Sequence, residues 1–147
     1  MDRAGTEKKQ SNEQKIRFEI TETSLAAIGE NHTRMLMHLK ENGAEILLDD
    51  FGSGYSSFGM LQDYDFDILK MDISFVRNIG VNKKSESILR AIINMAHQLE
   101  IRLVAEGAET EEQVAFLREN GCDYIQGYYY YKPMPEKEFL QLLDEGK

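Results

Sequence analysis

A chain of 147 residues is long enough to bury one core, and its 26 acidic against 17 basic residues leave a net charge of -9. That acidity argues against long nucleic acid as a ligand, because affinity for it rests on basic patches; a phosphorylated small molecule would draw its positive charge from divalent metal held by carboxylates. No apolar run reaches the ~20 residues of a membrane span, the opening "MDRAGTEKKQSNEQK" carries no apolar leader, and the lone Cys122 excludes an intrachain disulfide and a cysteine-based zinc site, so a reducing, cytoplasmic setting is expected.

Residues 1–15 are polar and without periodicity, and read as a flexible arm. From Ile16 onward short β-like runs alternate with helical patterns. "IRFEI" (16–20) and "AEILLDD" (44–50) flank an amphipathic stretch, "HTRMLMHLKENG", that Gly43 stops. "FDILKMD" (66–72) precedes "SESILRAIINMAHQLE", whose Ile88, Ile92, Met95, Ala96 and Leu99 fall on one helical face. After "IRLVAEG" (101–107), Thr110 and Gln113 form a capping box for a helix through Leu117 that Gly121 closes. "CDYIQGY" (122–128) is the last strand, and a final helix from Pro135 is expected to pack Phe139, Leu140, Leu142 and Leu143.

Strict βα alternation implies parallel strands, in an open doubly wound sheet or a closed barrel. No strand-to-helix junction carries a G-x-G-x-x-G or a P-loop, which favours the barrel, yet five strands fall short of the usual eight. The expected fold is therefore a partial TIM-type (β/α) barrel that lacks its N-terminal strands. Residues such as Ile46, Leu48 and Val104 would then line an interior missing its other wall, with two open edges to be covered by self-association or by a partner chain.

One polar residue interrupts each strand near its C-terminal end: Glu19, Asp49, Lys70, Glu106 and Gln126. Strands end where polarity begins, which accounts for one or two of the five but least for Lys70, since an unpaired ammonium inside an apolar strand is costly. In a parallel barrel all five would meet on the face where active sites of that fold lie.

The segments "FEITET", "LLDDFGSGYSS", "LKMDISFV", "VAEGAET" and "QGYYYYKPMP", in this order and spacing, resemble the C-terminal part of the EAL domain family, bacterial phosphodiesterases that linearise cyclic di-GMP. The resemblance runs from about Ile16 to Leu143, with Ala108 standing where family members usually have valine. No Glu-Ala-Leu motif occurs in the chain, so the motif's glutamate, a metal ligand in the family, and a later asparagine have no counterpart.

The resemblance implies roles. Glu19 and Asp49 would bind Mg²⁺ or Mn²⁺, and Asp50 a second ion; a loop-capping carboxylate is the alternative for Asp50. Neighbours on a regular strand point oppositely, so both aspartates reach metal only if the pleat breaks at Asp50, which Gly52 favours. Lys70 would neutralise charge near the phosphate or attacking water, and Glu106 would be the general base or a metal-linked carboxylate. Glu22 and Glu109 would be loop-supporting or second-site acids, or else solvated helix-start charges. Gln126 and Tyr128 would line the ligand site, Tyr129, Tyr130 and Tyr131 would pack, and the loop "FGSGYSS" could close over a ligand. His32, His38 and His97 are scattered and read as surface residues rather than a metal set.

The implied function is metal-dependent hydrolysis of one 3′-5′ phosphodiester bond of cyclic di-GMP to the linear dinucleotide. Two rivals stand beside it: a non-catalytic module that binds cyclic di-GMP or a protein, and a fragment without autonomous function.

Overall fold

The structure, a computed structural model, describes residues 16–28, 31–53 and 57–146; the expected arm at residues 1–15 and the centre of the glycine loop, residues 54–56, lie outside them. Strands β1 (Arg17–Thr21), β2 (Glu45–Phe51), β3 (Ile68–Met71), β4 (Arg102–Glu106) and β5 (Tyr124–Gln126) form one parallel sheet in chain order. Between and after them lie helices α1 (Glu22–Ile28), α2 (Asn31–Glu41), α3 (Ser57–Asp63), α4 (Ile73–Arg77), α5 (Lys83–Gln98), α6 (Glu111–Glu119) and α7 (Glu136–Glu145). The sheet is not closed, and β1 and β5 are its two edges. This is the expected partial barrel.

Side-chain alternation divides the sheet into two faces. Ile46, Leu48, Leu69, Met71, Leu103 and Ala105 point to the helices and pack with Leu89, Ile93, Ala96, Val114 and Leu117 in the main core. The inner face carries a separate trio, Leu47, Ile68 and Val104. This corrects the expectation for Ile46 and Leu48, which are covered by helices rather than lining the barrel interior. The interior is a three-residue apolar layer between charged ones, and the edges of the fold carry the exposed apolar surface instead.

Two helical faces also differ from expectation. In α5 the buried residues are Leu89, Ile92, Ile93 and Ala96, while Ile88 and Leu99 are exposed. Leu89 and Ile93, interleaved with the expected set, turn the face toward the sheet by about one residue's rotation. In α7 no residue is buried, and Phe139, Leu140 and Leu143 stand in solvent. The Thr110–Gln113 capping box is present as read.

At the N-terminal ends of the strands, charge pairing closes the bottom of the interior. Glu45 accepts from Arg102 and from Arg17, linking β4, β2 and β1. Hydrogen bonding from Arg102 is the main cause that holds the Glu45 carboxyl below the ordinary glutamate range, against the cost of its burial. Two further aspartates stitch neighbouring strands: Asp67 Oδ2 accepts from Ile46 N at 2.8 Å, and Asp123 Oδ2 from Leu103 N at 2.8 Å.

Because folding lowers its pKa, Glu45 contributes stability that is present above the ordinary glutamate range and lost as the pH falls through the lowered value. Glu45→Gln should cost about 1–2 kcal/mol at neutral pH, less than a wholly buried pair because both guanidinium groups reach water. In urea unfolding the gap between variant and wild type should shrink as the pH falls below the ordinary glutamate range; a gap that is constant with pH would show that charge pairing is not its cause.

Candidate active site

The opposite end of the interior is built from β1, β2, β3 and β4. Two residues beyond the apolar trio on each strand stand Asp49, Lys70 and Glu106, on the same face by alternation, and Glu19 of β1 lies beside Leu47 in register. The Lys70 Nζ lies 3.5 Å from Glu106 Oε2, 3.6 Å from Asp49 Oδ1 and 3.8 Å from Glu19 Oε2, with the lysine side chain only 14% exposed. Burial works against its charge, but Asp49, then Glu106, then Glu19 outweigh that and raise its pKa.

Asp50 follows on a broken pleat. Register between β2 and β3 shifts between Leu48 and Phe51, and Asp50 takes a left-handed φ of 57°. Its amide donates to Asp49 Oδ1 at 2.8 Å, and its carbonyl accepts from Ser53 N and Ser53 Oγ at 3.1 and 2.7 Å. The next turn needs glycine twice over: Gly52 has φ 92°, and a Cβ there would lie 2.5 Å from Phe75 Cε2. Repulsion from Asp49, then burial, then Asp72 raise the Asp50 pKa, while Lys70 pulls it down. Negative charge thus exceeds what Lys70 balances.

Gln126 ends β5 in register with Glu106. Both face a cleft of about 540 Å³ bounded by α4, the loop after β4, residues 126–134 and α7. Tyr128 and Glu109 line it, and so do Arg77 and Lys132, which the sequence reading passed over. Lys132 Nζ lies 5.9 Å from the Tyr128 ring centroid. The signal for Arg77 was present in "DISFVR", where Asp72 caps α4 by accepting from Ser74 N at 2.9 Å, but a five-residue helix gives too little periodicity to read. The wall between cleft and sheet requires Gly127, because a Cβ there would meet Ala108 O at 2.2 Å.

The remaining candidates fall elsewhere. Glu22 opens α1 just beyond β1 and is buried, so the solvated reading does not hold for it, whereas Glu109 is exposed. Among the histidines, His32 is buried in α2 with Nε2 lacking a recorded partner, contrary to the surface reading; His97 is half-exposed and sits 3.5 Å from Asp123. Tyr129, Tyr130 and Tyr131 are exposed rather than packed, although Tyr130 Oη accepts from Arg118 at 2.9 Å. Burial pushes the Cys122 thiol up to about 11.

Among the described residues no three His, Cys, Asp or Glu side chains stand together as a ready-made metal group. The carboxylates gather around Lys70 instead. Their chemistry still fits a hard divalent cation: every donor is an oxygen, and the raised Asp50 marks uncompensated negative charge at the mouth.

The EAL domain family model matches residues 2–133, and the chain belongs to that family. It is 42% identical over 129 residues to the cyclic di-GMP phosphodiesterase NbdA of Pseudomonas aeruginosa, a match covering 86% of this chain and 16% of NbdA. The solved EAL domain of Mycobacterium smegmatis DcpA superposes with a TM-score of 0.83 at 37% identity, over 89% of this chain and 59% of that one. A manganese/cyclic-di-GMP complex of Klebsiella pneumoniae BlrP1 matches at a TM-score of 0.72 and 31% identity, over 77% of this chain and 29% of that one. The chain thus spans a minor part of its curated relative and little more than half of the solved domain. No helix among the described residues is long and apolar enough to cross a membrane.

Lys70, with its pKa raised, contributes stability that is fully present below the ordinary lysine range and lost only as the pH rises through the folded value. Lys70→Met should therefore destabilise the fold by about 2 kcal/mol at neutral pH, since it leaves three carboxylates facing one another without their cation. Lys132→Met, at an exposed position, should cost about 0.5 kcal/mol or less. Equal urea midpoints for the two variants would contradict the central place of Lys70.

Proposed function

We propose that the chain supplies the Glu19–Asp49–Asp50–Lys70–Glu106 side of a cyclic-di-GMP phosphodiesterase site, which hydrolyses one 3′-5′ phosphodiester bond to give the linear dinucleotide. The observation that carries this reading is one ammonium held by carboxylates from three other strands at the C-terminal end of a parallel sheet. Solved relatives at 31% identity and above, one of them described as a manganese/cyclic-di-GMP complex, support it.

Glu19, Asp49 and Asp50 are the residues that would hold Mg²⁺ or Mn²⁺, and two ions are expected in a complete site. Bound metal would polarise the phosphodiester and lower the pKa of a coordinated water. The chain's own groups do the rest. Glu106 accepts the proton of the attacking water, and Lys70, 3.5 Å from Glu106 and 3.6 Å from Asp49, holds both carboxylates in place. Gln126 and Tyr128 orient the dinucleotide against the cleft wall, while Glu22 and Glu109 support the loops after β1 and β4 or serve as second-site acids. A cytoplasmic setting belongs to this reading, supported by a single, weakly acidic thiol.

Turnover of cyclic di-GMP followed by chromatography of the linear product, with Mg²⁺ or Mn²⁺ added, tests the proposal. Asp49→Asn should lower kcat by about 100-fold or more while shifting the unfolding midpoint less than Lys70→Met does, because Glu19 and Glu106 still face the ammonium. Chelation should abolish turnover reversibly. Binding of cyclic di-GMP without any product, in the presence of metal, would sink the hydrolytic reading in favour of a binding module.

A further inference from the structure

Arg17, Lys40, Lys70, Arg90 and Arg102 are each paired with a carboxylate. Arg77 and Lys132 are not: among the described residues neither has a carboxylate partner, and both line the cleft that Glu106 and Gln126 face. The fold also fixes where Arg77 stands. It ends α4, a short helix anchored by the buried Val76. At the start of that helix Ile73 occupies the space that a side chain at Gly107 would need, one residue past Glu106. Phe75 does the same at Gly52, two residues past Asp50. The helix is wedged between the loop that carries the acid pair and the loop that follows Glu106, so Arg77 sits on a rigid element held against both.

We propose that Arg77, together with Lys132 on the same cleft, binds the phosphodiester of cyclic di-GMP that is not cleaved, and so selects a ligand with two phosphates. The assignment rests on the phosphodiesterase reading above. Cyclic di-GMP carries two phosphodiester anions, and ions held by Glu19, Asp49 and Asp50 would neutralise only the one that reacts. The other must enter a chain of net charge -9 through a cleft that Glu106 and Glu109 also line, so it needs cations of its own. Glu106 is already engaged by Lys70 at 3.5 Å, which leaves Arg77 free to serve the ligand. A guanidinium donates two parallel N–H bonds to one phosphate, a geometry that an ammonium lacks. Lys132, with Nζ 5.9 Å from the Tyr128 ring centroid, adds a second positive charge on the cleft wall.

The test is calorimetric binding of cyclic di-GMP to the chain with Ca²⁺, which holds phosphate oxygens without the strict octahedral geometry of Mg²⁺. Arg77 and Lys132 are exposed, so their replacement leaves the core intact. Arg77→Gln should weaken binding about tenfold, and Arg77→Lys about threefold because it keeps the charge without the fork. Lys132→Gln should also cost about threefold. Arg34→Gln removes the same charge from an exposed position on α2, away from the cleft, and should leave the affinity unchanged. In phosphorus NMR of the bound ligand, Arg77→Gln should move one of the two resonances and leave the other. Undiminished binding by Arg77→Gln, or an equal loss in Arg34→Gln, would overturn the proposal and leave the phosphodiesterase reading standing. Weakened binding with both resonances unmoved would overturn it too, and assign Arg77 to a guanine edge. A parent chain that binds no cyclic di-GMP would overturn both.

Discussion

An ammonium inside a barrel sets the terms for the rest of this structure. Lys70 emerges from a strand whose neighbours, Leu69 and Met71, are buried, and its own side chain is largely covered, so its charge survives only because Glu19, Asp49 and Glu106 surround it. Each of those three lies on a different strand. The site therefore exists only when β1, β2, β3 and β4 are paired in the observed register, since a slip of one residue would turn a strand's polar group to the helix side. Folding and site assembly are one event here.

The apolar trio Leu47, Ile68 and Val104 shows how the open interior is tolerated. It is capped above by the Lys70 cluster and below by Arg17, Glu45 and Arg102, so the sheet presents two ion-paired layers with a thin apolar seam between them. Water on the open side meets mostly groups it can solvate. The charge balance of the two layers differs, and that difference separates structure from chemistry. Below, two guanidinium groups meet one carboxylate in hydrogen-bonded pairs; above, Glu19, Asp49 and Glu106 confront one lysine at looser distances of 3.5–3.8 Å, with Asp50 next to Asp49. The lower layer is neutralised with excess positive charge, whereas the upper one keeps negative charge in reserve, where a cation can use it.

What was legible in the sequence follows from where tertiary context matters least. All five strands were readable because each is a short apolar run ending in a polar residue, and the capping box at Thr110 is a local hydrogen-bond pattern that no distant packing alters. Faces were harder. Ile88 and Leu89 are equally apolar in the sequence, and only the direction from which the sheet approaches α5 decides that Leu89 is buried. The stripe on α7 reads as a core face by composition and is exposed because nothing described lies over it. His32 went the other way, since one polar residue near a helix start gives no hint that it points inward. Arg77 and Lys132 were missed because cleft lining depends on how α4 and the segment after β5 meet, which no motif announces.

The two adjacent aspartates draw these threads together. A regular strand would send Asp49 inward and Asp50 out among the helices, where an unpaired carboxylate beside Phe51 would be costly. The register shift and the left-handed φ of 57° at Asp50 instead leave that residue exposed at the mouth, with its amide tied to the Asp49 carboxylate. The left-handed conformation is held by Ser53 on one side, and on the other Phe75 fills the space that a side chain at Gly52 would need. Packing the two acids so closely raises the Asp50 pKa, an unfavourable arrangement for a merely structural turn. That cost becomes intelligible if a divalent cation joins the pair, because the repulsion between the two acids is the attraction that would hold the ion.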